Sequence, residues 1–203
     1  MPAVAVVLLV VWLVLVAGVR GYLASRRTGE LSVAFRDRRG SAQSWARLIS
    51  GLGLLLAVAA PIASVAGLPS IGGLATPVVG VAGTLLALVG IAATIAAQSA
   101  MGPWWRGDVD PDARTPLVTT GPFRQVRNPV LAATALTAIG ITLVVPNPLS
   151  LAGLLAILAG QQIQVRLVEE PYLLRVHGDA YREYARRTGR FLPGVGRLRP
   201  DDG

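Results

Sequence analysis

PVLAATALTAIGITLVVPNPLSLAGLLAILAGQQIQV, residues 129–165, decides how this chain is read. Two apolar runs, 130–145 and 148–165, are parted only by Pro146 and Asn147. Proline has no N–H and clashes with the preceding turn, so one helix cannot run through both. The pattern predicts a tight helical hairpin that turns at a membrane surface.

Three more apolar runs precede it, at about 3–19, 48–68 and 71–97. A hydrocarbon core of ~30 Å takes ~20 apolar residues as a helix, within roughly 17–25. The first run meets this at its short end, the second carries Pro61 as an expected kink or end, and the third has length to spare for tilt. The first lacks a basic leader region and its arginines follow it, so it reads as a span, not a signal peptide. The chain is therefore expected to be a single all-α integral membrane domain over residues 1–203, with five transmembrane helices.

Composition agrees. Of 203 residues, 53% are hydrophobic and 15% charged, and the apolar ones are blocked into runs. Cysteine is absent, which excludes thiol nucleophiles, zinc-thiolate sites and disulfides. His177 is the single histidine, so no multi-histidine metal site exists and no metal is expected. Lysine is absent too, so every fixed side-chain cation is an arginine.

Those arginines set orientation. They fall in 20–47, 98–129 and 166–203, and the turns near 68–71 and 146–148 hold none. All acidic residues share the same segments. With five spans these segments lie on one side, which puts the N-terminus outside and the C-terminus in the cytoplasm of a cell inner (plasma) membrane. The net charge of +8 then reflects topology and attraction to anionic headgroups, not nucleic-acid binding. The expected partner is the bilayer. Oligomeric state stays open, because Gly80, Gly83 and Gly90 could pack within or between chains.

Tyr22, Phe35 and Trp45 fit interfacial anchoring, and Trp104 and Trp105 fit an aromatic belt. Prolines and glycines in 98–129 forbid a long helix there. Such backbone is tolerated at membrane depth only when buried in protein or lining a cavity. Arg127 and Asn128 stand at the mouth of the hairpin, before Pro129. After it, Gln162, Arg166 and Glu169 or Glu170 fall at helical spacing, so an amide, a cation and a carboxylate share a face expected to point into the bundle. A structural Arg166–Glu170 salt bridge is the rival reading. Gly178 is expected to stop a short helix and Asp179 to cap the next, on which Tyr181 and Tyr184 share a face. Together 98–129 and 166–194 can close over the hairpin as a polar helical lid.

LVTTGPFRQVRNP, and VEEPYLLRVHGDAYREYARRTGRFLPG after the hairpin, resemble the isoprenylcysteine carboxyl methyltransferase family. Its motifs run roughly Gly-Pro-Tyr-x-x-x-Arg-His-Pro, Glu-Glu-x-x-Leu, Phe-Gly-x-x-Tyr-x-x-Tyr and Arg-Phe-x-Pro. The likeness covers about residues 115–194. Asn128 stands where that family has His, Leu131 where it has Tyr, and His177 where Phe is more frequent. The resemblance implies a membrane enzyme that uses S-adenosylmethionine to methylate a lipophilic acceptor, such as the carboxylate of a prenylcysteine or another lipid acid, entering from the bilayer. It implies that Arg127, Arg166 and Glu170 carry catalysis. Cofactor contacts are expected from Val118, Gly121, Pro122, Phe123, Arg127, Asn128, Pro129, Glu169, Glu170, Tyr181, Tyr184, Phe191 and Pro193. Glu170 or Glu169 is expected on the cofactor's ammonium and Arg127 on its carboxylate, with Tyr181, Tyr184, Phe191 and Pro193 walling the adenine and Arg166 steering the acceptor. Two other readings compete. One is a sterol-reductase-like enzyme using NADPH, for which Arg186, Arg187 and Arg190 could hold a phosphate. The other is a non-enzymatic scaffold or transporter.

Overall fold

The hairpin turn is tied to itself and to a third helix. In the computed structural model, which describes residues 1–19, 40–102 and 116–199, Asn147 is fully buried. Its Oδ1 accepts from the N–H of Ser150 at 2.9 Å, and the Ser150 hydroxyl accepts from the Asn147 N–H at 3.1 Å. This reciprocal cap starts the second hairpin helix. Asn147 Nδ2 reaches a third helix, donating to Ala60 O at 2.8 Å and Ser64 Oγ at 2.9 Å.

In chain order the helices are α1 (Pro2–Trp12, extended by a π-helical stretch Leu13–Val19), α2 (Ala42–Val65), α3 (Pro77–Met101), α4 (Pro129–Val144), α5 (Pro148–Gln164, continued by a π-helical turn Val165–Glu169), α6 (Glu170–His177) and α7 (Asp179–Arg187). Gly121–Arg124 forms a short 3-10 helix before α4. Among the described residues no strand occurs, only one isolated bridge between Val126 and Gly189. Ala42–Val65, Pro77–Met101 and the continuous Pro148–His177 are long and apolar enough to cross a membrane. Pro2–Val16 and Pro129–Val144 are shorter apolar helices.

Helix bounds follow caps, not hydropathy. Ser41 Oγ accepts from Ser44 N at 3.2 Å, so α2 starts at Ala42, ahead of the apolar run. Thr76 caps α3 through Val79 N at 3.3 Å with Pro77 in the first turn, so α3 starts six positions after residue 71. Pro61 does not end α2, which continues to Val65.

Two pairs of helices meet backbone to backbone. A Cβ on Gly140 of α4 would sit 2.5 Å from Ala87 N and 2.6 Å from Gly83 O of α3. On the other side, a Cβ on Gly53 of α2 would sit 2.8 Å from Gly153 O of α5. Small residues permit this approach where lipid offers no hydrophobic drive for association. Gly83 and Gly90 therefore pack within the chain, against α4, and Gly80 packs against Met1. The core between them joins Ala5, Leu8 and Leu9 of α1 to Ala57, Ala87, Ile91, Ile141 and Val144. Leucines and valines such as Leu52, Leu55, Val81 and Leu155 stay exposed, as suits surfaces that meet acyl chains. Trp45 is also exposed. Tyr22, Phe35, Trp104 and Trp105 lie outside the described residues.

Candidate active site at the mouth of the hairpin

At the Arg127 end of α4 the segment before the hairpin and the segment after it are stitched together. The Arg127 N–H donates to Gly189 O at 2.8 Å and the Asn128 N–H to Arg190 O at 3.1 Å. Asn128 Nδ2 adds a bond to Arg190 O at 3.2 Å. From the far side the Tyr184 hydroxyl donates to Phe123 O at 2.6 Å. Glycine at 189 lets the turn that follows fold back on it, because a Cβ there would lie 2.8 Å from Gly194 N and 2.9 Å from Val195 N. Gly121 takes φ of +59° as the 3-10 turn begins, a backbone region L-residues rarely adopt.

Arg127 lies at the centre and is 6% exposed. Its Nη1 donates to Ala185 O at 2.7 Å and Thr188 O at 3.1 Å, and its Nη2 to Glu170 Oε1 at 2.7 Å and Gly196 O at 3.0 Å. Arg190 grips the same carboxylate, Nε to Oε1 and Nη2 to Oε2, both at 2.8 Å. That hydrogen-bonded carboxylate holds the Arg190 guanidinium protonated beyond its ordinary range, against the opposing effect of partial burial. Beneath the cluster, Tyr181, Tyr184 and Ala185 form a small core that Leu117, Leu173, Leu174 and Leu198 cover. The two phenol rings meet edge to face, 6.2 Å between centroids. Burial, chiefly, raises both phenols, Tyr184 to about 12 even though Arg127 pulls the other way.

Several expected residues thus converge: Phe123, Arg127, Asn128, Glu170, Tyr181 and Tyr184. The other expected residues are placed differently. Arg166 does not face this cluster; it is exposed and bonds Gln162 Oε1 at 2.9 Å. The cause is the π-helical turn Val165–Glu169, where the Glu170 N–H reaches back five residues to Val165 O. It adds about one residue to the turn and swings Glu170 off the Gln162–Arg166 face. The rival Arg166–Glu170 pair is replaced by Arg127–Glu170 for the same reason. Arg127's terminal nitrogens are fully bonded, whereas Glu170 accepts twice at Oε1 and once at Oε2. Pro193 is exposed on a turn, Phe191 is half-buried, and Asp179 makes no capping bond because Gly178, at φ +49°, occupies the cap position. Val118 and Pro122 are half-buried and Pro129 is buried. Glu169 is separate from the cluster: its Oε1 accepts from Gln164 Nε2 at 3.3 Å, and no cation among the described residues pairs with it. The sequence reading offered Arg190 only as a phosphate contact with Arg186 and Arg187, because nothing in residue type announces a carboxylate partner 20 residues away. Among the described residues no cluster of His, Asp or Glu could hold a metal.

The sequence model of the phospholipid methyltransferase family matches residues 78–180. The chain belongs to this family. The matched segment runs from α3 through the hairpin to the start of α7. No curated protein matches the chain. Among solved structures it is similar to the eukaryotic intramembrane Ras methyltransferase, isoprenylcysteine carboxyl methyltransferase, with a TM-score of 0.56 and 18% identity. The likeness covers 88% of this chain and 63% of that one, so the chain spans under two thirds of that protein. At this identity the likeness is one of fold. Family and fold together make the chain a helical, membrane-type member of the phospholipid methyltransferase family.

Proposed function

We propose that the chain transfers a methyl group from S-adenosylmethionine to the carboxylate of a lipophilic acceptor, a prenylcysteine-like or other lipid acid. The reaction site lies at the cytoplasmic mouth of the hairpin in a five-span bundle with its N-terminus outside. The observation that carries this reading is the Glu170 carboxylate held by Arg127 and Arg190, which ties residues 121–129 to 170–196 at the membrane edge.

When bound, S-adenosylmethionine supplies a methyl already activated by its sulfonium, transferable to an ionised carboxylate without a base. The residues present fit its cationic amino-acid end: the Glu169 carboxylate has only an amide donor and can accept an ammonium. Asn128 keeps its Oδ1 as an acceptor at the α4 mouth. Arg127 and Glu170 act as positioning residues that hold the two segments in register. Val118, Gly121–Phe123 and the Tyr181–Tyr184 side supply backbone and aromatic surface for the nucleoside. Holding donor and acceptor in line and dry can lower the barrier by roughly 7–11 kcal/mol. Arg166 attracts anionic acceptors at the membrane edge and takes no part in the clamp.

The test is radiolabelled-methyl transfer by the purified protein to membrane lipid extracts and to a farnesylated cysteine analogue. Transfer that falls sharply in Glu169→Gln supports the reading. Stabilisation by NADPH in a thermal-shift assay, with none by S-adenosylhomocysteine, replaces it by the reductase reading.

A further inference from the structure

Building on the cofactor reading above, we infer that Arg190 is the residue that takes a carboxylate of the bound ligand, with Glu170 aiming it.

Arg127 cannot easily do so. Each N–H of its two terminal nitrogens already has an acceptor at 2.7–3.1 Å, and its Nε is buried without a partner. Arg190 is built differently. It lies side-on to Glu170 through Nε and Nη2, which leaves both N–H groups of Nη1 without a partner among the described residues. Its side chain is 18% exposed, against 2% for Arg127. Gly196 lies beside it: a Cβ there would be in ordinary contact with Nη1, at 3.7 Å. The backbone of Arg190 is fixed at both ends. Its N–H donates to Val195 O at 2.8 Å, and its carbonyl accepts from Asn128. Two guanidinium groups share one carboxylate, so the cluster holds a formal charge of +2 − 1 = +1. A half-buried excess cation with two oriented donors favours a planar anion, and guanidinium and carboxylate match in shape. The family match ends at residue 180, ten positions before Arg190.

Two carboxylates could fill the place, the cofactor's own and the acceptor's. Isothermal titration of the full chain in nanodiscs separates them. Wild type, Arg190→Ala and Arg190→Lys are titrated with S-adenosylhomocysteine and with methylthioadenosine, which lacks the amino-acid end. They are also titrated with a farnesylated cysteine as free acid and as methyl ester. The expected result is about tenfold or greater weakening of S-adenosylhomocysteine by Arg190→Ala, a loss typical of a charged hydrogen bond. Methylthioadenosine binding stays within about twofold, and Arg190→Lys recovers only part of the loss. A matching loss for the free acid alone, with its ester and the nucleosides unmoved, supports the same role and names the acceptor as the source. Unchanged affinity in every arm overturns the proposal. So does an equal loss of both nucleosides in both variants, because Arg190 would then only hold the tail. Wild type that binds neither nucleoside overturns the cofactor reading itself.

Discussion

The Tyr184 hydroxyl donates to the carbonyl of Phe123 across 61 residues of chain, at 2.6 Å, with both residues buried. One bond thus closes the segment before the hairpin onto α7. Tyr184→Phe keeps the ring packing and leaves that carbonyl unpaired, so it should cost about 1–3 kcal/mol. Thermal unfolding in detergent measures it, and a wild-type midpoint would show the bond to be dispensable.

The same phenol predicts a pH response. Its folded value of about 12 exceeds the ordinary 10 because of burial. Below pH ~10 both folded and unfolded states keep the proton, so this contribution is fully present. As pH rises through 10 to 12 the unfolded state releases its proton first, and stability falls. Absorbance titration at the tyrosinate band should show late ionisation coincident with unfolding, with one fewer late phenol in Tyr184→Phe.

Arg127→Met should be the most damaging change at the site. It removes one partner from a buried ion pair and strands the carbonyls of Ala185, Thr188 and Gly196. A loss of about 3–5 kcal/mol is expected. Arg127→Lys should restore only part of it, because an ammonium cannot span four acceptors set for a planar fork. Limited proteolysis after residue 180 reads the release directly: both variants should be cut faster than wild type.

At the other end of the bundle, Asn147→Ala removes the α5 cap and two bonds to α2. About 1–3 kcal/mol should be lost. Asn147→Asp keeps the capping oxygen but not the two donated bonds, so it should separate the cap from the tie to α2 in chemical or thermal unfolding.

Gly140→Ala tests the α3–α4 approach. Its Cβ would meet Ala87 and Gly83 backbone atoms at 2.5–2.8 Å, where nothing flexible can yield, and overpacking of this kind costs about 1–3 kcal/mol. Gly72→Ala, with nothing within 4 Å, is the matched control and should be silent in the same melting experiment.

The sequence by itself determined the membrane class, the helical architecture, the hairpin at Pro146–Asn147 and the two polar segments that flank it. These follow from properties local in the chain: apolar run length, proline's missing N–H, and arginines confined to certain loops. Spacing alone also put Tyr181 and Tyr184 on one buried face. Only the tertiary structure decided which charges pair. A helical wheel put Arg166 beside Glu170, but one π-helical turn at 165–169 broke the 3.6-residue period, and nothing in residue type announces that insertion. The partners of Glu170 lie 43 and 20 residues away, brought close by helix packing through glycine contacts and by the Gly189 crossing. Likewise Asn147 was legible as a turn, whereas its bonds to α2, 87 and 83 residues away, depend on how closely Gly53 lets two backbones approach. Periodicity predicts which face a residue occupies, and only packing decides what that face meets.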